Sequence, residues 1–220
     1  AIVGRPNAGK STIINRVLGQ NRLITSEVAG TTRDSIDTHW EVGDKKYTLI
    51  DTVGIRRKRS VSWAVERFGV IKAVQAIERA HVVVLMVDAA DGMADQDAKI
   101  ASLAVERGRA LIIVLNKWDA VEKTHRTADE MTRDIRERFK SMDWAPILTM
   151  SALTGLRSNK LLERIDAVHE AWNRRITTSD CNTWFAETTR RRPPPLYKKR
   201  SVKLYYATQA RTRPPTFVLQ

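Results

Sequence analysis

Cysteine is almost missing: Cys181 is the only one in 220 residues. An intrachain disulfide and a cysteine-built metal site are thereby excluded, and a reducing compartment fits. No apolar run approaches the roughly 18 residues of a membrane span, and no signal-peptide layout opens the chain. A cytoplasmic location without membrane contact is expected. Histidine is sparse, and His39, His81, His125 and His169 lie far apart and outside every motif below. Each reads as packing or solvated rather than as metal ligand or catalyst. Acidic residues are the minority charge, 25 against 38 Lys/Arg, for a formal net charge of +13. A surface of that sign attracts phosphate polyanions at long range, which makes nucleic acid the expected partner class.

What is present begins with Gly4-Arg5-Pro6-Asn7-Ala8-Gly9-Lys10-Ser11, which satisfies G-x-x-x-x-G-K-[ST] at every fixed position. It follows the apolar strand Ala1-Ile2-Val3 and, through Thr12, opens a helix with apolar residues at Ile13, Ile14, Val17 and Leu18. Strand, glycine loop and helix N-terminus together form an anion cradle, because unpaired amides and the helix dipole point at phosphate. Lys10 reaches the terminal phosphates and is a catalytic candidate; the Ser11 hydroxyl can ligate Mg²⁺. The chain is expected to bind a nucleoside triphosphate.

The base is addressed downstream by Asn116-Lys117-Trp118-Asp119, directly after the apolar run Leu111 to Leu115. Open α/β sheets bind ligands at such carboxyl ends of strands. The Asp119 carboxylate can accept two hydrogen bonds from the ring N–H and exocyclic amine of guanine, an arrangement adenine does not offer, while Asn116 and Lys117 brace the base and the phosphate loop. After the strand-like run Pro146 to Met150, the backbone of Ser151-Ala152-Leu153 is placed to line the guanine pocket.

Between these lie the parts of a nucleotide switch. Asp51-Thr52-Val53-Gly54 ends a strand through Tyr47, Leu49 and Ile50, so Asp51 is positioned to hold Mg²⁺ through water and the Gly54 amide to touch the γ-phosphate. Gly30-Thr31-Thr32-Arg33-Asp34 precedes the alternating strand Ile36, Thr38, Trp40, Val42. A threonine there, Thr32 in preference to Thr31, ligates Mg²⁺ only while the γ-phosphate is present, ordering the loop on GTP.

The runs GRPNAGKST, GTTRD, DTVGIRRKR, NKWD and SALTG, in this order and spacing, resemble the GTPase group related to Era and the tRNA-modification GTPase MnmE. Asp51 to Arg59, Phe68 to Ile77, Lys203 to Gln209 and Arg213 to Val218 make the chain more similar to the second GTPase domain and C-terminal domain of the tandem-GTPase ribosome assembly factors Der (EngA). The resemblance spans essentially the whole chain. It implies a GTPase acting on the large ribosomal subunit and its rRNA, an upstream GTPase domain and a longer tail. One departure is Val53, where members usually carry Ala.

Strands and helices alternate up to about residue 175: Val82 to Val87 reads as a buried strand, Gln96 to Arg107, Thr127 to Lys140 and Leu161 to Trp172 as helices. This argues an α/β P-loop GTPase domain over 1–175 with a mainly parallel sheet covered by helices. Residues 176–220 carry nine Lys/Arg against two Asp/Glu, a far denser positive charge. They read as a helix from about Cys181 to Arg191, a stiff Pro193-Pro194-Pro195 break, and two strands through Val202, Leu204, Tyr206 and through Phe217, Leu219. The resemblance implies a small, truncated α+β KH-like domain here. No Gly-x-x-Gly loop occurs in it, so the usual KH clamp on single-stranded RNA is not expected.

Two basic clusters are the RNA or ribosome contact candidates. Arg56-Arg57-Lys58-Arg59 follows the switch motif, and Arg190-Arg191-Arg192 with Lys198-Lys199-Arg200 brackets the prolines. The bland alternative is a solvated basic face. For hydrolysis, the residue after Gly54 is Ile55, where Ras-like enzymes place a water-orienting glutamine. Charge stabilisation must then come from a partner's arginine, a switch arginine or a monovalent cation. The resemblance implies K⁺ ligated by Asn7; the competing role for Asn7 is a loop residue bracing backbone through its amide. Two further readings stand beside the ribosome switch, a nucleotide-stabilised RNA-binding module with incidental turnover and a tRNA-modification-type GTPase.

Overall fold

The computed structural model describes residues 1–20, 37–50, 63–122, 127–196 and 202–220. Within them the chain forms two compact units, Ala1–Val168 and His169–Gln220.

The first unit is built on four parallel strands. They are β1 (Ile2–Val3), β4 (Val82–Asp88), β5 (Ala110–Asn116) and β6 (Ile147–Thr149), in the order β1-β4-β5-β6. Val82 to Val87 and the whole of β5 are buried, the continuous apolar pattern of strands covered on both faces. Val82 to Asp88 pair in register with Ala110 to Asn116, so Asp88 and Asn116 end their strands side by side. The strands alternate with helices α1 (Lys10–Gln20), α2 (Trp63–Arg79), α3 (Asp95–Glu106), α4 (Thr127–Arg138) and α5 (Asn159–Asn173). Ile77 of α2, Ala101 and Ala104 of α3 and Ile135 of α4 pack with Leu85, Leu111, Ile113 and Leu115 of the sheet into one core. The helix over Trp63–Arg79 is an element the sequence reading left unassigned.

An antiparallel hairpin, β2 (Thr38–Val42) with β3 (Lys45–Leu49), turns at Gly43 and Asp44. Trp40 stacks on its cross-strand partner Tyr47 at 5.1 Å between ring centroids, and the hairpin is fastened to α5 where Lys45 and Tyr47 both bond Asp166.

The second unit packs α6 (Thr178–Arg191) on the antiparallel pair β7 (Ala207–Arg211) and β8 (Thr216–Leu219). Its core is Cys181, Phe185 and Ala207 with Ile176 and Leu204 against them. Two polar side chains supplement so small a core. Asn182 exchanges two hydrogen bonds of 2.9 Å with the backbone of Ala207, and Gln209 accepts from Ile176 N–H and donates to the Arg174 carbonyl. The helix starts at Thr178, ahead of the expected Cys181, because Thr177 caps it by accepting from Asp180 N–H. The first strand lies at Ala207–Arg211 rather than over Val202 to Tyr206. Its register is set by pairing across the Thr212–Pro215 turn with the four residues of β8; Tyr205 and Tyr206 only continue the ladder through backbone bonds to Gln220. Among the described residues no helix is long and apolar enough to cross a membrane.

Candidate guanine-nucleotide site

Gly4 to Gly9 leave the carboxyl end of β1 and turn into α1, whose first residue is Lys10. The turn passes through three positive-φ residues, Gly4 at φ 140°, Asn7 at φ 63° and Gly9 at φ 93°. Gly9 is required twice over: its φ suits glycine, and a β-carbon there would lie 2.1 Å from Asn116 Nδ2. The Lys10 ammonium is held inside the loop, donating to the carbonyls of Gly4 at 2.8 Å and Arg5 at 2.6 Å. Burial pulls its pKa down, and the negative charge of Asp97 pulls it partly back up. The lysine is thus aimed along the loop before any phosphate meets it. Ser11 is half-buried in the first turn of α1, and Thr12 beside it is exposed.

Asn116, at the end of β5 and fully buried, holds two loops at once. Its Nδ2 donates to the Ala8 carbonyl at 2.8 Å and its Oδ1 accepts from Ala152 N–H at 2.8 Å. Lys117 takes φ 60°, turning its side chain into a 2.5 Å ion pair with Asp88, the last residue of the neighbouring strand. Trp118 is buried in the core while Asp119 is exposed at the strand's carboxyl end. Ser151 and Ala152 are buried and Leu153 is exposed, in a tight loop closed by bonds from Ser151 N–H to the Leu156 carbonyl and from Gly155 N–H to the Ser151 carbonyl.

The phosphate loop, the Asn116 to Asp119 turn and the Ser151 to Leu153 loop therefore meet at one end of the parallel sheet, tied together by a single side chain. Three further residues that pattern reading did not single out support them. Arg16, on α1, donates from Nε to the Ala152 carbonyl at 2.7 Å and from Nη2 to the Leu153 carbonyl. Gly155 takes φ 88°, which suits glycine, and a β-carbon there would sit 2.6 Å from Arg16 Nη1, so a larger residue would push the guanidinium aside. Asp88 orients Lys117. Asp97, on α3, pairs with Arg5 at 2.8 Å. The Arg5 guanidinium engages Asp97 and the Gly92 carbonyl, and its backbone carbonyl accepts from Lys10.

Thr31, Thr32, Asp51, Thr52, Val53, Gly54, Ile55 and Arg56 to Arg59 lie outside the described residues, as do Lys198, Lys199 and Arg200. Arg190 and Arg191 occupy the last turn of α6 and Arg192 is its C-cap, all three exposed. Among the described residues no group of three or more His, Cys, Asp or Glu is arranged to hold a metal ion. Asn7 is exposed on the loop, and its amide braces no backbone among the described residues.

Comparison with known proteins agrees with this geometry. The chain is 50% identical over 219 residues to GTPase Der of Caldanaerobacter subterraneus subsp. tengcongensis and 49% identical over 218 residues to GTPase Der of Moorella thermoacetica. These matches cover 100% and 99% of this chain and 50% of each relative, so the chain spans about half the length of the curated relatives it matches. Among solved structures it is similar to Era in complex with MgGDPNP and a segment of 16S ribosomal RNA, with TM-score 0.57 and 29% identity over 74% of this chain and 54% of that one. Aquifex aeolicus Era bound to GDP·AlF4⁻ gives TM-score 0.56 and 28% identity over the same shares. The model of the 50S ribosome-binding GTPase family matches residues 1–117, and that of the KH-domain-like C-terminal region of EngA bacterial GTPases matches residues 175–220. The chain belongs to the 50S ribosome-binding GTPases and carries at its C-terminal end the KH-like domain of the EngA type.

Proposed function

We infer that this chain is a GTP-binding and GTP-hydrolysing switch that works in assembly of the large ribosomal subunit, with its nucleotide state gating contact with rRNA in the cytoplasm. The observation that carries this reading is Asn116 joined to both Ala8 and Ala152. It ties a phosphate cradle to a turn bearing an exposed carboxylate suited to guanine. The description of the matching family as ribosome-binding and the basic character of residues 176–220 support the partner class.

In this reading Gly4 to Thr12 wrap the phosphates, Asp119 selects the base, and Ser151 to Leu153 close over it. Ser11, at the start of α1, fits Mg²⁺, completed by Thr32 and Asp51; the ion would neutralise charge building on the β- and γ-phosphates. Lys10 and the Gly54 amide grip the same oxygens. Asn7, exposed on the loop, would be the K⁺ ligand in this reading. A cation held by Asn7 would supply positive charge near the phosphates, as an arginine finger does.

The test is co-sedimentation of the protein with large ribosomal subunits at fixed salt, in a non-hydrolysable GTP analogue, in GDP and without nucleotide. Binding in the analogue that is lost in GDP is the expected result. Equal binding in all three states would reduce the nucleotide to a structural ligand of an RNA-binding module.

A further inference from the structure

Asp97 supports the phosphate loop from a buried position on α3. It is fully buried on α3, in register with buried Ala101 and Ala104 on the face turned to the core. A carboxylate in such a stripe is costly unless paired. Its Oδ2 accepts from Arg5 Nε at 2.8 Å and from Ala94 N–H at 3.1 Å, while Oδ1 has no hydrogen-bond partner among the described residues. An acidic residue in the first turn of a helix accounts for the Ala94 bond alone. It does not account for a buried carboxylate reaching the phosphate loop.

Arg5 is held at two points, Asp97 in the first turn of α3 and the Gly92 carbonyl in the β4–α3 connection, the latter also at 2.8 Å. The same residue offers its own carbonyl to Lys10 at 2.6 Å, the shorter of the two bonds that aim the ammonium. The chain of contacts runs from carboxylate to guanidinium, through one residue's backbone, to the lysine. Because Asp97 has a single cationic partner in direct contact among the described residues and is shielded from water, it binds that partner firmly; breaking the pair leaves an uncompensated buried charge.

We propose that Asp97 is a positioning residue for the nucleotide site: through Arg5 it fixes the carbonyl that holds Lys10, and so sets how firmly the terminal phosphates are gripped. This rests on the nucleotide-site reading above. Lys10 is the group displaced when the clamp loosens, so the loss falls on phosphate contacts and on the chemical step. Selection of the base, assigned above to Asp119 in the turn after β5, is untouched.

The test compares the parent chain with Asp97→Asn, which keeps the shape and can still accept from Ala94 N–H. Dissociation constants for GTP, GDP and ADP are measured with fluorescent analogues, together with kcat at saturating GTP and the thermal midpoint. Expected is weaker GTP and GDP binding by about tenfold or more and a kcat loss of similar size, as for a displaced catalytic group, with the ratio of GDP to ADP affinity unchanged. Arg5→Lys, which keeps the charge and loses the fork, should show the same pattern and carries the test if Asp97→Asn does not fold. The neutral pair Arg5→Gln with Asp97→Asn should be no worse than Asp97→Asn alone, since both act through one contact. Affinities and kcat within twofold of the parent overturn the proposal, as does a loss in which base preference falls in step with the thermal midpoint. A parent that binds no guanine nucleotide sinks the site reading itself, an outcome distinct from a parent that binds and an Asp97→Asn variant that matches it.

Discussion

Asn116 donates to the carbonyl of Ala8 from 108 residues away in sequence, and the bond is buried at 2.8 Å. The other end of the same amide accepts from Ala152 N–H. Removing it orphans two buried backbone groups together, and each unsatisfied group costs on the order of 1–3 kcal/mol. Asn116→Ala should therefore lower the stability of the nucleotide-free chain as well as its affinity for GDP. Denaturant unfolding and fluorescent-GDP titration check this; a variant with unchanged stability would mean that the two loops are held by other contacts.

Much of this site was legible before any coordinates, because phosphate loops and guanine turns are constrained by chemistry at fixed short spacings. Gly9, Lys10 and Asn116 each stand where a hydrogen bond or backbone conformation suits that residue type. The supporting residues were not legible for a physical reason. Arg16 sits on an amphipathic helix among polar neighbours and reads as a solvated charge, and its role exists only because β6 delivers Ala152 and Leu153 beside α1. Asp97 did leave a signal, an acidic residue four and seven positions before Ala101 and Ala104 on a buried stripe. In the second unit the alternation of Val202, Leu204 and Tyr206 suggested a strand, yet register is decided by the hairpin turn and by the short partner β8.

Tyr47 gives a pH signature. Burial, then the hydrogen bond and charge of Asp166, push its phenol up from 10.0 to about 12, so the fold favours the neutral form. Its contribution to stability is fully present below the unfolded pKa near 10 and is lost as pH rises from there toward about 12. An alkaline titration followed by tyrosinate absorbance should show one of the four tyrosines ionising late. Tyr47→Phe should remove that late phase and advance detachment of the hairpin from α5.

Arg190, Arg191 and Arg192 end α6 in solvent. Cations at a helix C-terminus favour the dipole whether or not they touch RNA, so a loss of stability on mutation would not identify a partner. Salt dependence does. Each phosphate contact contributes roughly 0.7 to 0.9 to the slope of log K against log salt. Replacing all three by Ala should flatten the slope for rRNA binding by up to about 2 to 3 if all contact phosphate. An unchanged slope assigns the arginines to the helix end alone.

Arg16 links the helix behind the phosphates to the loop beside the base. Its two bonds end on the carbonyls of Ala152 and Leu153, one of them at 2.7 Å, and the donor is a charged fork, worth about 1.5–3 kcal/mol per bond in favourable settings. Leu153 is 70% exposed, so the far side of the loop gains little from packing, and the guanidinium takes that role. Arg16→Ala should free the Ser151 to Leu153 loop while leaving Lys10 and its two carbonyls in place, weakening guanine retention more than phosphate grip. The expected result is a GDP dissociation rate raised by about tenfold, the equivalent of roughly 1.4 kcal/mol, with kcat at saturating GTP within about twofold. Arg16→Lys should recover only part of this, because one ammonium has to replace a planar fork whose Nε and Nη2 reach the two carbonyls separately. Stopped-flow release of a fluorescent GDP analogue measures it. A variant that releases GDP at the parent's rate would show that Asn116 alone secures the base-side loop.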